Sequence, residues 1–583
     1  MNVLVVLLVA VFFFLLASRF YARYLARNLG EDPSRPTPAI TCTDGRDFVP
    51  TRTSVVFAHH FSAIAGAGPI LGPTMAILYG FVPAWMWIVL GGIFVGAVHD
   101  YTALFMSIRE GGRSVAEIAR KTLGRMGFNL FIGFTIVMIV LVTSSFLNAT
   151  AMSLTSLWPL SKIGVAEGQT FLKTVVKDGV VMGRIGGIAS TSVIFITLCS
   201  PFLGWLIVRR RLRTLYAYFL ATTMAVLSFI IGIHYPVTLA SSTWMIIISI
   251  YVLFAAGIPV WLILQPRDFI NVQILYGGIG LLVISVFTSG ISGLKVAIPS
   301  FNLTEGIAHL GLLWPMMFCT IACGAISGFH ALVAGGTTCK QVSRETDARR
   351  IGYNAMLLES VLALGVILAL GSAMDFGDYK SIVWPSDPAV KSNPILGFSL
   401  AAGYLFHKAL GINVALGAVF GILLVEGFVI TTLDAAVRLN RYLFEELWAI
   451  LFSQPPRLLR NYWFNSALSV FLMWVLAYSN AFSALWPIFG TANQLLAALT
   501  LMTASAWLLL RHKKNHYTLI PAIFMLATTI ASLIILLGNY RRSHNYTLMT
   551  ADIILIILAA GVVYLVFKTF WQRKKPTIAP STV

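Results

Sequence analysis

The sequence predicts an all-α polytopic membrane protein, and three observations support that fold class. Of its 583 residues, 58% are hydrophobic and only 11% are charged. Apolar runs of about 20 residues, the length an α-helix needs to cross a bilayer, recur from one end of the chain to the other. Basic residues cluster in short segments between these runs. A soluble enzyme would have about a quarter of its residues charged, so the composition excludes that class.

About fifteen segments are predicted to span the membrane. They are residues 2–19, 54–80, 83–107, 126–150, 186–208, 214–235, 241–264, 272–290, 311–338, 353–374, 408–432, 463–480, 485–510, 517–538 and 550–570. The loops between them alternate between basic and nearly uncharged or acidic. Because cytoplasmic loops carry an excess of Lys and Arg, this alternation predicts an N-terminus outside and a C-terminus inside. It also predicts that 395–407 dips in from outside without crossing.

The formal net charge of +19 does not indicate a nucleic-acid partner, since the basic residues lie in the loops between spans. The predicted partner is the lipid bilayer. Of five cysteines only Cys319 and Cys323 lie close together, without the second Cys/His pair that a zinc site requires. No Walker A motif, Rossmann fingerprint or HExxH motif is present. We therefore expect no metal, no cofactor and no ATP-driven transport.

The second predicted span, 54–80, contains glycines and prolines in its middle, among them Gly66, Gly68 and Pro69. A helix broken at membrane depth needs protein or a water-filled cavity around it to satisfy its backbone. Such segments point to the binding site of a transporter, where a half-helix start can hold a carboxylate. Gly66 and Gly68 are accordingly predicted to bind substrate. A kinked packing helix is the alternative, because Gly and Pro are common in membrane helices.

Two later segments share this broken character. One lies within 311–338 and contains Ser327, Gly328 and His330, and the other is 485–494. In the predicted topology the first broken span runs from inside to outside and 311–338 runs from outside to inside. Opposed broken helices are typical of an inverted-topology repeat with its substrate site near the midplane, where the two meet. Ser327, Gly328 and His330 are therefore further predicted substrate-binding residues.

Histidines lie close to both breaks. His59 and His60 are within two turns of Gly66, and His330 is beside the second break. Ionisable residues inside a membrane are functional candidates because they are costly there, and histidine titrates in the physiological range. These side chains are predicted to bind an anionic substrate or to relay a proton. The structural alternatives are headgroup contacts for His59 and His60 and a hydrogen bond in a packed core for His330.

Three embedded carboxyl groups, those of Asp100, Glu359 and Glu426, are the predicted proton-coupling residues. Each lies several residues inside a predicted span, where a desolvated carboxyl group can load and release a proton. His99 is a candidate relay for Asp100. A structural carboxyl group bonded to Ser, Thr or backbone is the alternative reading of Glu359 and Glu426.

Two other charged groups are given structural interpretations. Asp434 lies four residues before Arg438, the spacing of an ion pair on a helix surface. The charged residues of 344–350 lie in a basic loop, and they are interpreted as a gate or a topology anchor.

Long motifs appear in order over about residues 1–510. They are DGRDFVPT (44–51), HHFSAIAGAGPILGP (59–73), AVHD (97–100), PVWLILQPRD (259–268), SGFH (327–330), ETDAR (345–349) and LWP (485–487). Together they resemble the carbon starvation protein A family. The sequence departs from the family pattern at His99, where glutamine is expected before Asp100.

The resemblance implies a bacterial or archaeal carrier of the cytoplasmic membrane, in the amino acid–polyamine–cation superfamily, with a leucine-transporter-like inverted repeat. It also implies an N-terminal transporter region over 1–375 and a C-terminal region of about five membrane helices over 376–583. Members of the family are associated with uptake of peptides or with proton-coupled uptake of pyruvate.

We predict a secondary active transporter, not an enzyme, that imports small carboxylates by proton symport, with pyruvate as first choice. Peptide uptake is the alternative within this class. A membrane pore or receptor is the alternative from another class, although no repeated selectivity motif indicates a channel. The predicted partners are a small carboxylate or peptide and protons, with sodium left open as the coupling ion.

Overall fold

The computed structural model is mostly α-helical and describes residues 1–574 except 45–47, 167, 170, 211, 260–261 and 388–389. Residues 45–47 and 260–261, which belong to two motifs quoted above, lie outside the described part. The first helices are α1 Val3–Leu16, α2 Ala22–Leu29, α3 Pro38–Thr41, α4 Thr53–Ile64, α5 Gly68–Ala76, α6 Phe81–Gly91, α7 Ala97–Arg109, α8 Val115–Ser153, α9 Gly186–Val208, α10 Thr214–His234, α11 Ser241–Gly257 and α12 Leu264–Ile291.

The second half of the chain continues this pattern. Its helices are α13 Leu303–Leu310, α14 Phe318–Thr320, α15 Phe329–Gly336, α16 Asn354–Ala373, α17 Phe376–Val383, α18 Pro394–Leu410, α19 Val414–Leu451, α20 Tyr462–Ser479, α21 Phe482–Leu510, α22 His516–Arg542 and α23 Tyr546–Lys574. Single π-helical turns at Ala17–Tyr21, Gly92–Gly96, Leu313–Met317 and Arg349–Tyr353 join or extend helices, and short 3₁₀ turns occupy Ile77–Tyr79, Leu160–Ile163 and Thr338–Lys340.

The strands of the described chain form one small antiparallel sheet between α8 and α9. They are β1 Leu157–Pro159, β2 Thr174–Lys177 and β3 Val180–Arg184, in the order β1-β3-β2.

Several helices begin at a polar residue that satisfies the first backbone N–H groups. Asn2 accepts from Leu4 N–H at 2.8 Å. Ser114 and Glu117 form a capping box at the start of α8, in which each side chain accepts from the backbone of the other. Because the first turn of a helix has no intrahelical acceptors for these N–H groups, the caps fix where the long helices start.

Eleven helices of the described chain are long and apolar enough to cross a membrane, or twelve if α4 and α5 form one bent span. The three remaining predicted spans coincide with α11, with α20 and with the interrupted segment from Leu313 to Gly336. The all-α membrane architecture is therefore confirmed, whereas the number of fifteen crossings stays a prediction.

The prediction that 485–494 is broken is wrong. These residues belong to the continuous helix α21, with Pro487 inside it. Pro487 is the sixth residue of α21, so its missing N–H removes one hydrogen bond, that to Ser483 O, near the start of a helix that continues to Leu510. The polar residues of this segment serve a neighbour instead. Trp486 Nε1 donates to Thr320 O at 3.3 Å, and Gln494 Nε2 donates to Phe318 O at 2.6 Å.

Contacts between loops divide the helix ends into two faces. The basic face contains the segments around residues 30–44, 48–52, 109–115, 338–350 and 511–516. There Arg109 donates to Gly30 O at 2.6 Å and Thr51 N–H donates to Gln341 O at 3.0 Å. The opposite face contains the described residues around 2, 80, 155–166, 171–184, 292–312, 371–387, 390–393, 480 and 543. There Val3 N–H donates to Leu294 O at 3.1 Å.

Helix α18 contacts the opposite face at both ends. Asn393, its capping residue, donates to Ser156 Oγ at 2.8 Å, and Lys408 near its end donates to Ala373 O at 3.2 Å. Because both partners lie on the same face, this geometry agrees with the predicted dip at 395–407.

The two interrupted helices run in opposite directions. The first runs from Thr53 at the basic face to Tyr79, whose carbonyl accepts from Asn302 at 2.8 Å on the opposite face. The second runs from Leu313 on the opposite face towards Lys340, whose carbonyl accepts from Val49 at 3.1 Å on the basic face. The long helices α8 and α19 follow the same opposed pattern and pack together. This arrangement is the inverted pair that the sequence predicts.

Helices from both sides of residue 375 share one hydrophobic core. The division of the chain into two regions at this residue stays a prediction.

Candidate functional site

The first break lies between α4 and α5, which meet at an angle of 45°. Helix α4 ends at Ile64, and the N–H of Gly66 closes a tight turn on Ile64 O at 2.7 Å. A Cβ on Gly66 would lie 3.3 Å from Thr432 Oγ1 of α19, so the absence of a side chain permits this close approach. Helix α5 then begins at Gly68 and Pro69, and proline is suited to a first turn because its missing N–H would have no partner there.

The second break covers 321–328, between α14 and α15, and Asn493 of α21 holds it in place. Asn493 Oδ1 accepts from Phe329 N–H at 3.0 Å, and Nδ2 donates to Ser327 Oγ at 3.0 Å. The backbone carbonyl of Asn493 accepts from Gly328 N–H at 3.0 Å. Since an unpaired backbone group at membrane depth is costly, these bonds stabilise a non-helical segment that the lipid could not support.

The two breaks contact each other. A Cβ on Gly68 would lie 2.6 Å from the Cβ of Cys323, and a Cβ on Gly72 would lie 2.6 Å from Thr320 O. The ring of His330 lies near the backbone carbonyl of Ile64, the last helical residue before the first break. The structure thus brings Gly68 and His330 to one place, as the inverted-repeat hypothesis predicts.

Four buried ionisable residues form a continuous chain at this place, here called the central cluster: His99 and Asp100 on α7, His330 on α15 and Glu359 on α16. Asp100 Oδ1 lies 2.7 Å from His99 Nδ1, and Asp100 Oδ2 lies 2.7 Å from His330 Nδ1. On the other side of the ring, His330 Nε2 lies 3.3 Å from Glu359 Oε2 without a hydrogen-bond geometry. Their side chains are at most 1% exposed, so one imidazole separates two carboxyl groups in the interior of the protein.

Of the adjacent histidines on α4, only His60 faces the central cluster. It is buried, its Nδ1 lies 2.9 Å from Thr338 Oγ1, and its Nε2 has no hydrogen-bond partner among the described residues. It is close enough to Asp100 and His330 to interact with their charges. His59 is exposed, because successive residues of a helix point about 100° apart. The structure therefore does not bring His59 to the cluster.

Glu426 on α19 is also separated from the central cluster. One carboxylate oxygen accepts from Ser153 of α8, and the other has no hydrogen-bond partner in the described chain. Glu426 lines a small cavity with Arg267 and Asn271, between α9, α12 and α19. Of the three predicted proton-coupling residues, Asp100 and Glu359 thus share one cluster and Glu426 lies in a second polar region.

The predicted ion pair between Asp434 and Arg438 is wrong. Asp434 Oδ2 pairs with Arg267 Nη2 of α12 at 2.8 Å and accepts from Tyr251 of α11 at 2.8 Å. Arg438 turns to the end of α11, where it donates to Ala255 O at 2.7 Å. A helix C-terminus has unsatisfied carbonyls and negative partial charge, and this attraction outweighs the pairing along α19.

Three contacts are not predicted by the sequence: Cys323 at the meeting point of the two breaks, Asn493 as the residue that bonds the second break, and Arg267 as the partner of Asp434. Asn493 and Arg267 are nonetheless visible as polar residues in otherwise apolar spans or in a quoted motif. The sequence does not show which residues they bond, because the partners are distant along the chain. Ser327, for example, is 166 residues from Asn493.

An ion pair and several hydrogen bonds link distant segments at the basic face. Arg109 Nε donates to Glu345 Oε2 at 2.6 Å, while Glu345 Oε1 accepts from Asp32 N–H at 2.8 Å. Thr53, the first residue of α4, donates to Asp347 Oδ2 at 2.7 Å. This network joins the start of the first broken helix to the loop after the second, which fits the predicted gate or anchor in 344–350.

A second group of charges on the basic face surrounds Glu110, which follows α7. It accepts from Lys121 Nζ at 2.7 Å, from Trp507 Nε1 at 2.8 Å and from Arg511 Nη2 at 2.6 Å. Burial by itself would raise the pKa of Glu110, but these hydrogen bonds and the two positive charges lower that pKa below its ordinary value. The ionised carboxylate is the stable form here.

A cavity of about 1010 Å³ opens among helix ends of the opposite face. Its lining includes Met316, just before the second break, together with Asn148, Trp384 and Tyr540. The central cluster takes no part in that lining. The cavity therefore reaches towards the breaks from one face while the cluster itself is closed.

Ligand-type atoms of Cys323, His330 and Glu359 lie within 4.8 Å of one another. By distance alone this set could hold a metal ion. His330 and Glu359 already belong to the carboxylate–imidazole chain, and Cys323 accepts weakly from Asn493 Nδ2 at 3.4 Å. We assign no metal to the site.

The sequence matches the model of one protein family. Residues 2–391 and 378–532 match the family described as carbon starvation protein CstA. The peptide transporter CstA of Escherichia coli K12 is 31% identical over 593 residues, covering 91% of this chain and 80% of that protein. The peptide transporter CstA of Campylobacter jejuni is 29% identical over 577 residues, covering 89% and 78%. The pyruvate/proton symporter BtsT of E. coli K12 is 29% identical over 606 residues, covering 91% and 81%.

Solved structures resemble the fold more distantly. A mutant of the manganese transporter of Eremococcus coleocola has a TM-score of 0.46 and 11% identity, covering 91% of this chain and 98% of that one. MhsT in complex with L-phenylalanine has a TM-score of 0.44 and 12% identity, covering 87% of this chain and 98% of that one.

Proposed function

Because this chain belongs to the carbon starvation protein CstA family and is a multi-span membrane transporter, we propose that it imports a small carboxylate, with pyruvate as first choice, by proton symport. The proposed location is the cell membrane, with the N-terminus outside and the basic face in the cytoplasm. That orientation rests on the excess of Lys and Arg in cytoplasmic loops.

The observation that carries proton coupling is the central cluster. Embedded ionisable groups are retained in membrane proteins chiefly where they work on ions or substrates. Here His330 lies between Asp100 and Glu359 at 2.7 and 3.3 Å, on the helix that starts at the second break. A proton held in this chain changes the charge at the contact of the two broken helices. If the two conformations of these helices bind the proton with different affinity, loading of the proton shifts the equilibrium between them.

The start of α5 is the proposed carboxylate site. Its N-terminal residue, Gly68, is buried and faces the second break, and an unpaired N–H at a helix start attracts an anion. At α15 the corresponding groups of Gly328 and Phe329 are already bonded to Asn493. The N–H of Gly66 is likewise bonded, to Ile64 O, whereas no acceptor is found for the N–H of Gly68 among the described residues. We therefore place the substrate carboxylate at Gly68, with His330 and His60 beside it. We assign Gly66 to the turn of the first break, and Ser327 and Gly328 to holding the second break.

Peptide uptake is the second candidate. The relatives named peptide transporter CstA favour it as strongly as BtsT favours pyruvate. The cavity of about 1010 Å³ on the opposite face is also larger than a three-carbon acid needs. The two substrates share a terminal carboxylate, so the site at α5 serves both proposals.

The deciding experiment is uptake of labelled pyruvate, lactate, alanine and dipeptides into proteoliposomes, with and without an imposed pH gradient and with sodium varied. Accumulation against a gradient identifies a carrier, downhill flux a pore, and no flux a receptor. Dependence on sodium and not on pH would contradict proton symport.

Variants of the central cluster test the coupling. Glu359→Gln keeps the shape of the side chain but holds no exchangeable carboxyl proton, so it should abolish pH-driven accumulation and leave substrate exchange measurable. His330→Ala should depress both uptake and exchange. Glu305→Gln is the matched control, because Glu305 pairs with Lys380 at 2.7 Å on the opposite face, away from the cluster. If Glu359→Gln accumulates substrate with unchanged pH dependence, Glu359 is structural and Glu426 becomes the next candidate.

A further inference from the structure

Asp100 is shared by two imidazoles. Its Oδ1 lies 2.7 Å from His99 Nδ1 and its Oδ2 lies 2.7 Å from His330 Nδ1. A carboxylate accepts hydrogen bonds and an imidazole Nδ1 can donate one, so this geometry fits an ionised Asp100 between two Nδ1–H groups. The Nε2 atom of each ring then becomes the site at which a proton can be gained or lost.

The two rings differ in what their Nε2 atoms meet. His330 Nε2 faces Glu359 Oε2 at 3.3 Å. His99 Nε2 is buried and has no hydrogen-bond partner among the described residues. The other ionisable groups facing the cluster are His60 from α4 and Cys323 from the second break. In the described part of the chain, His99 is therefore bonded to the other members of the central cluster through Asp100 alone.

We infer that His99 is a positioning residue for proton coupling, which keeps Asp100 ionised and aimed at His330 so that the mobile proton is exchanged between His330 and Glu359. This inference rests on the proposed function of the central cluster. It adds that Asp100 is a fixed anion and not a proton carrier.

The exchange is balanced in atoms and charge. The proton leaves Glu359 Oε2 and binds His330 Nε2, so Glu359 gains a negative charge and the His330 ring a positive one. The fixed negative charge of Asp100 stabilises that cation on the other side of the ring. Without the N–H of His99, one buried oxygen of Asp100 would lose its only donor among the described residues, and Asp100 would become a competing site for the proton.

Two variants separate positioning from proton carrying. His99→Leu removes the donor, whereas His99→Gln keeps an N–H donor that cannot titrate. In proteoliposomes we expect His99→Leu to lower the pH-driven accumulation ratio about 10-fold or more, the effect of losing one charge-assisted hydrogen bond. We expect His99→Gln to stay near the wild type. His407→Leu is the control, since His407 lies at the end of α18, away from the central cluster, and its Nδ1 bonds Ile412 O.

A second readout does not depend on transport. Infrared difference spectra of the purified protein in lipid, recorded during acid titration, report protonated carboxyl groups by their C=O band. His99→Leu should gain a band that disappears in the His99→Leu, Asp100→Asn double variant, and the wild type should lack it. If His99→Leu gains no such band, or if His99→Gln behaves as His99→Leu does, the positioning role is refuted. Absence of pH-driven uptake in the wild type would contradict the proposed function and leave this spectroscopic test intact.

Discussion

Replacing Gly68 with alanine tests whether the two breaks must touch. The added Cβ would lie 2.6 Å from the Cβ of Cys323 and 3.8 Å from its Cα. Real Cβ atoms essentially never approach another heavy atom within 3.0 Å, so one of the broken helices has to shift. Overpacking of a well-packed interior in this way costs about 1–3 kcal/mol.

That cost falls on the conformation in which the breaks are in contact. A free-energy change of this size alters the ratio of two conformations about 5–150-fold. We expect Gly68→Ala to lower the initial rate of substrate uptake in proteoliposomes by a factor in this range. The melting temperature of the purified protein should fall as well, because the same contact belongs to the folded core.

Two further variants show whether the contact is the cause. Gly336→Ala is the matched control on the second broken helix, because an added Cβ there meets nothing within 4 Å. Cys323→Gly removes the colliding atoms, so combining it with Gly68→Ala should recover part of the lost uptake. Wild-type uptake by Gly68→Ala, or strictly additive effects of the two substitutions, would refute the proposed contact.

Three other predictions concern the orientation of the two faces, the charges around Glu110 and the hydrogen bonds of Asn493 to the second break. Cys42 is the exposed cysteine of the described chain and lies on the basic face, so an impermeant thiol reagent should label it only in permeabilised cells. Lys177→Cys on β2, on the opposite face, should react in intact cells. The reverse labelling pattern would show that the orientation is inverted. Glu110→Gln should lower the melting temperature at pH 7, because each charge-assisted hydrogen bond contributes about 1.5–3 kcal/mol. Since the folded-state pKa of Glu110 is lowered, its contribution is present above the ordinary pKa of glutamate and is lost as pH falls through the lowered value, and a difference that persists in acid would contradict this origin. Asn493→Leu leaves the N–H of Phe329 without its acceptor, which costs about 1–3 kcal/mol, and an unchanged melting temperature and uptake rate would exclude its fastening role.

Several features of this protein follow from the sequence by itself. The apolar runs predict the membrane helices, because backbone groups in lipid have to be satisfied within each segment. Glycines and prolines within apolar runs indicate where both breaks lie, because a helix interrupted in lipid leaves backbone groups that the protein has to satisfy. Asp100, His330 and Glu359 stand out as candidates because ionisable groups are costly at that depth. Each of these inferences depends only on the residues of one segment and on the fact that the hydrocarbon core of the bilayer surrounds them.

The tertiary structure alone decides which of these residues meet. Pro487 and Gly490 resemble a third break in the sequence, yet α21 is continuous and its polar side chains bond the carbonyls of the neighbouring break. Asp434 has an arginine at helical spacing and pairs with Arg267 on another helix instead. Partners so distant along the chain leave no local pattern, because their meeting depends on how whole helices pack. For that reason the sequence identifies the ionisable groups of the central cluster, and only the folded chain separates Glu426 and His59 from it.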